Sequence, residues 1–115
     1  MFIGHIDERE KKAIAAPGAQ NVIKQTVIGP GDGWQGWVMR RFTIRDKGCT
    51  PRHSHPWPHI MYVLQGKGTC FFEGREYPLK TGSIAYVPSN AEHQFTSVSD
   101  TEFVFLCIVP EEGDV

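Results

Sequence analysis

Gly48-Cys49-Thr50-Pro51-Arg52-His53-Ser54-His55-Pro56-Trp57-Pro58-His59 runs on into the apolar segment Ile60–Gln65 and then Gly66. Three of the five histidines of the chain fall inside seven residues of this stretch. A strand alternates its faces with period two, so His53 and His55 point the same way and His59 shares their parity. Pro56 and Pro58 interrupt any hydrogen-bonded ladder between them, so the parity of His59 has to cross a break. At this histidine frequency an HxHxxxH phrase arises by chance with a probability of roughly 0.01, which makes it worth reading as chemistry. Imidazole offers a neutral nitrogen lone pair to Zn, Fe, Ni or Cu, and two histidines spaced i, i+2 can clamp neighbouring coordination positions. The plainer alternative is a set of surface or core histidines in a Pro-rich loop.

Outward from that stretch the punctuation is that of an all-β chain. Segments rich in β-branched and aromatic residues recur at short intervals, each bounded by Gly, Pro, Asn or Asp. They predict strands over Asn21–Ile28, Gly36–Arg45, Ile60–Gln65, Gly68–Glu73, Arg75–Pro78, Ser83–Val87, Gln94–Ser97 and Glu102–Val109. Glu73-Gly74-Arg75 and Gly66-Lys67-Gly68 read as hairpin turns. Twelve Gly and eight Pro suit frequent turns, and no helical period persists for twelve residues. So many strands in 115 residues must form a sandwich or close into a barrel. Residues 1–20 are polar and mixed and read as an N-terminal arm, with Asp7 to Ala16 either one or two helical turns or mobile. The domain proper is expected over residues 21–115.

Charge excludes some functions. Twelve Lys+Arg against thirteen Asp+Glu leave a net charge of −1, without the basic excess that a phosphate-binding nucleic-acid partner requires. The longest apolar run, Phe103 to Val109, is too short to span a bilayer, and the charged N-terminus points away from a secretory signal. Cys49, Cys70 and Cys107 lie far apart and are odd in number, which suits reduced thiols in the cytoplasm. Neither a nucleic acid nor a membrane is therefore expected as a partner; a small molecule is.

The stretch beginning at Gly48, with HxH at His53 and His55, His59 after three residues and Gly66 after six more, resembles the first motif of the cupin superfamily. Gly82-Ser83-Ile84-Ala85-Tyr86-Val87-Pro88, closing on His93, resembles its second motif. The two motifs span Gly48 to about Ser97. Three positions depart from the family pattern: His59 stands where glutamate is most frequent, Asn90 where glycine is usual and Ser97 where asparagine is frequent. Asn is the next best residue for a left-handed backbone, so Asn90 can hold that turn. With RHSHPWPH and the C-terminal FLCIVP, the chain is most similar to small single-domain, four-histidine manganese cupins. That resemblance implies a jelly-roll β-barrel, usually a homodimer, with one divalent metal per chain held by His53, His55, His59 and His93. It favours Mn, whereas the softness of an all-nitrogen site favours Fe, Ni, Cu or Zn.

Parity sketches a substrate pocket around that site. Met61 and Val63 continue inward from His59, and Phe95 from His93. The last strand is apolar on both faces; if its odd face turns inward it contributes Phe103, Phe105 and Cys107. The facing wall comes from Phe42 and Ile44, or alternatively from Met39 and Arg41. Cys107 is either a small buried hydrophobe or a thiol near the metal. Trp34, Trp37 and Trp57 either cap the barrel mouth or pack an interface. Such a pocket suits a small apolar or aromatic substrate. The expected activity is that of a metal-dependent oxidoreductase of the oxygenase type. An isomerase, lyase or cyclase is the alternative, and a non-enzymatic ligand binder a third. Ile60, Tyr62 and Leu64 form an outward apolar row that marks an interface and again predicts a homodimer.

Overall fold

Turn chemistry and alternation place nine strands in the computed structural model, which describes residues 1–114. They are β1 (Lys12–Ala13), β2 (Gln20–Ile28), β3 (Trp37–Cys49), β4 (His59–Gln65), β5 (Lys67–Phe72), β6 (Arg75–Lys80), β7 (Ile84–Val87), β8 (His93–Ser97) and β9 (Phe103–Pro110). Short 3-10 turns at Ile6–Glu8, Pro30–Asp32 and Glu111–Gly113 complete the described chain, which contains no α-helix. Val115, the last residue of the expected barrel domain, lies outside the described residues.

Every pairing is antiparallel. The hydrogen-bonded order is β6-β5-β8-β3-β9-β4-β7, with β2 on β3 and β1 on β2. This curled sheet is a single-domain jelly-roll barrel, as the sequence predicted. Its inner faces close over Val22, Val38, Ile44, Val63, Phe103 and Phe105, all buried.

Three local expectations are corrected. Gly66-Lys67-Gly68 is no hairpin: β4 pairs with β7 and β9, whereas β5 pairs with β6 and β8. The chain turns a corner there, at a Gly66 whose φ is 82° and whose missing Cβ leaves room for the Glu102 carbonyl. β3 does not stop at Arg45. Asp46 and Lys47 adopt positive φ, and the strand runs on through this irregularity to Cys49, where it reaches β8. The arm forms only a 3-10 turn before Lys12–Ala13 adds to the edge of β2, because Lys12 and Ala13 find free backbone partners at Lys24 and Ile23. The hairpin at Glu73-Gly74 is as read: both residues have positive φ and Phe72 pairs with Arg75, a two-residue loop whose twist matches the strands.

Candidate metal centre

Two segments bring the histidines together. His53 and His93 form an isolated bridge, each donating its backbone N–H to the other's carbonyl at 3.1 and 2.9 Å. His55 follows two residues later, and its carbonyl accepts from the N–H of Asn90 at 2.7 Å. Asn90 has φ 67°, so the left-handed turn before β8 is what aims that N–H. His59 opens β4, with Val87 opposite it on β7.

Four imidazoles converge as a result. Five of their six ring pairs have centroids between 4.7 and 5.1 Å apart. The donor atoms of His53, His55 and His93 lie within 4.8 Å of one another, a group able to hold a metal ion. His59 lies outside that group of three, on the buried side, where its Nε2 is 3.1 Å from Nε2 of His93. Two imidazole nitrogens at right angles on one ion about 2.1 Å away would be about 3.0 Å apart, so this spacing suits a shared cation.

The far nitrogens are held as well. Nδ1 of His55 meets the Trp57 carbonyl at 3.0 Å, and Nδ1 of His93 meets the Ala91 carbonyl at 2.9 Å. A carbonyl only accepts, so both rings carry their proton on Nδ1 and present the Nε2 lone pair to the cluster. Nδ1 of His59 lies 3.1 Å from Sγ of Cys107, which also accepts from Nη2 of Arg40 at 3.2 Å. With a cation in the cluster His59 would carry its proton on Nδ1 and donate a hydrogen bond to that sulfur. The donor set therefore fits a divalent ion.

Electrostatics keeps the rings ready to ligate. Burial, reinforced by His93, His55, Arg40 and His53, lowers the pKa of His59 to about 3. Burial followed by His93 and His55 lowers His53 to about 4. His55 and His93 are also lowered, chiefly by burial, against their carbonyl hydrogen bonds. All four are neutral at pH 7. Burial raises the Cys107 thiol, partly offset by Arg40, so it too is uncharged.

The cluster forms one wall of a cavity of about 270 Å³. Phe42, Phe95, Phe105 and Cys107 line it. Phe42 is stacked on Phe105 with centroids 5.4 Å apart, and Phe95 meets Phe105 tilted by 48° at 5.2 Å. Met61 is inward and buried but does not border this cavity. Its cross-strand neighbours Cys107 and Ala85 flank it in the core, and parity alone could not tell wall from core. Of the two options for the facing wall, the even row of β3 is the one that turns inward.

Sequence reasoning missed two contributors, and it left Trp57 between two roles. Arg40 shares the parity of Phe42 and Ile44 and lines the cavity; extending that row by one step would have found it. Ile14 and Ala16 bring the N-terminal arm to the same wall. Trp57 caps the site rather than packing at a distance: its indole lies over His55, centroids 4.7 Å apart and 14° from parallel. Gly113, also in the wall, presses on the indole so closely that any Cβ there would collide with it. Arg52, beside His53, lies over the Phe71 ring at 3.7 Å and donates to Gln94.

Comparison with known proteins agrees with this architecture. The family model described as "Cupin domain" matches residues 40–109. The chain is similar to the polyketide cyclase RemF of Streptomyces resistomycificus, with 27% identity, a TM-score of 0.89 and coverage of 96% of this chain and 79% of that one. A cupin-2 domain of Rhodospirillum rubrum shares the fold at 21% identity and a TM-score of 0.86, over 99% of this chain and 77% of that one. The oxalate-binding protein of Thermotoga maritima is 28% identical over 58 residues, 50% of this chain and 48% of that protein. The chain thus matches about half the length of that curated relative.

Proposed function

The chain belongs to the cupin family, and from that premise we propose that it is a metal-dependent enzyme acting on a small apolar or aromatic substrate. In this reading His53, His55, His59 and His93 hold one divalent ion. Mn is the favoured ion on family resemblance, and the imidazole donor set also suits Fe, Ni, Cu or Zn. The observation that carries the reading is the convergence of four neutral imidazoles on one wall of an otherwise largely apolar cavity.

When bound, the ion supplies Lewis acidity toward a carbonyl or enol oxygen, undiminished by any anionic ligand. The protein's own residues do the rest. Nδ1 contacts to Trp57, Ala91 and Cys107 keep three rings in fixed orientation. Phe42, Phe95 and Phe105 hold the apolar body of the substrate and exclude water, and Trp57 closes the side of His55. The likeness to a polyketide cyclase over nearly the whole chain supports a cyclising or enolising reaction. An oxygenase-type oxidoreductase is the second reading. It is favoured by the neutral donor set, which raises the reduction potential of a bound ion relative to a site containing glutamate.

Metal analysis of protein from metal-replete cells, followed by turnover screens with small phenols and 1,3-dicarbonyl compounds under an oxygen electrode, tests both. One ion per chain and product without oxygen uptake is the expected result. Oxygen uptake matching product would replace the first reading by the second, and protein that retains no metal would overturn both.

The working unit is proposed to be a homodimer. Ile60, Tyr62 and Leu64 are exposed on the outside of β4, as expected, and Ile84 and Tyr86 on β7 extend the row. Ile60, Tyr62, Ile84 and Tyr86 form, with Met39, Leu106 and Ile108, an apolar groove at the β7 edge of the sheet. An exposed apolar face of this kind is what a two-fold interface covers. A reducing cytoplasm is the proposed compartment, consistent with free Cys49, Cys70 and Cys107. Among the described residues no helix is long and apolar enough to cross a membrane.

A further inference from the structure

Arg40 is a buried cation whose charge the fold answers only in part. Its side chain projects from the inner row of β3 into the wall of the histidine cavity and is only 8% exposed. The guanidinium lies over the Phe42 ring, 4.9 Å from its centroid. Nη2 donates to Sγ of Cys107 at 3.2 Å, a weak acceptor. Nη1 is 3.9 Å from Oδ1 of Asp114, beyond hydrogen-bond reach, and Nε is buried with no acceptor among the described residues. Asp114 is itself paired with Nζ of Lys24, another cavity residue. One carboxylate is therefore shared between two cations, and the four histidines facing them are neutral. A buried guanidinium left without full hydrogen bonding is costly, and the cost falls when an oxyanion takes the vacant donors.

We propose that Arg40 is the substrate-anchoring residue of the cavity and that the substrate is an organic monoanion, a carboxylate or delocalised oxyanion on an aromatic or apolar body. The anion lies on the guanidinium fork, as planar oxyanions do. The body lies against Phe42, Phe95 and Phe105, which carries its other end toward the histidines. The volume sets the size: about 270 Å³ against the ~150 Å³ cavity that accommodates benzene leaves room for one ring, or two small ones, with its charged group. This inference deepens the proposed function and rests on it for the chemistry at the metal end. The contact with Arg40 does not need the metal.

Isothermal titration of benzoate and of its neutral isostere benzamide, into metal-loaded and chelator-treated protein, tests it. Benzoate is expected to bind both forms, about 10-fold or more tightly than benzamide. Arg40→Met is expected to remove that preference while leaving benzamide within about 2-fold. Arg40→Gln, neutral but polar, is read the same way should the methionine variant fail to fold. Unchanged benzoate affinity in a folded Arg40 variant would overturn the proposal. So would benzoate binding that vanishes on chelation, since the anion would then sit on the metal. A failure of the metal reading shows separately, as absence of metal from the untreated protein.

Discussion

Along β4 and β9 the inward residues Met61, Val63, Phe105 and Cys107 are 0–5% exposed, whereas the outward residues Ile60, Tyr62 and Leu64 are 38–48% exposed. The two rows are equally apolar. Burial here is decided by what the topology folds over a face, not by the side chains on it. The inner face differs in a second way. It carries polar groups, and most of them have a named partner: His59 on Cys107 and His93, Cys107 on Arg40, His93 on Ala91. The outer groove of Met39, Ile60, Tyr62, Ile84, Tyr86, Leu106 and Ile108 includes no charged side chain. One face sets partnered polar groups among apolar ones; the other is apolar alone.

Breaking the inner face has the largest expected effect. His93→Ala removes a candidate ligand and the partner of His59, so metal affinity measured by competition with a chelator should fall by more than ~100-fold, beyond the cost of an outer contact. His5→Ala, at an exposed turn, should leave it unchanged. Breaking the outer face acts on assembly alone. Tyr62→Glu would bury a carboxylate in the proposed interface at about 3 kcal/mol or more, and light scattering should then give a mass near 12.9 kDa rather than twice that, with metal content retained.

Acid sharpens the contrast, because only the inner face titrates. His59 has a folded pKa of about 3 against an ordinary value of 6.5. Above pH 6.5 neither the folded nor the unfolded state binds the proton and the group contributes nothing. Below it the unfolded chain takes up a proton that the folded chain refuses, so stability falls as pH drops from about 6.5 toward 3. The slope for this group is at most about 1.4 kcal/mol per pH unit. Urea melts of metal-free protein at pH 7 and pH 5 should show the loss, and His59→Phe should remove the share of this group while that of His53, also lowered, to about 4, persists. The smallest expected effect is at Cys107. Cys107→Ala removes the outer contact of His59 and should weaken metal binding by about 10-fold, and Cys107→Ser should restore part of it.

Much of this contrast could be read in the sequence, because alternation reports both rows of a strand at once. His53, His55 and His59 were legible through spacing. His93 needed the resemblance, since nothing local links residue 93 to residue 53 until a bridge pairs them. The strand that ran too short, β3, failed at Arg45-Asp46-Lys47, where two left-handed residues look like the end of a strand and are a kink within one. The misplaced hairpin at Gly66 failed because a glycine turn signals a change of direction without saying whether the next strand pairs or leaves. Arg40 was hidden for a different reason. A charged residue in an apolar row reads as a surface position until Cys107, Asp114 and Phe42 are seen around it. The β1 strand carried no signal at all, being two exposed residues that pair only because an edge was free.

The near-parallel stack of Trp57 on His55 makes the centre optically self-reporting. An imidazole against an indole face quenches emission strongly once it carries positive charge or binds a cation, and weakly while it is neutral. Trp34 and Trp37 lie outside the cavity lining and supply a constant background. The brightness of Trp57 is thus expected to fall when His55 takes up a proton or a cation, without any label having to be added.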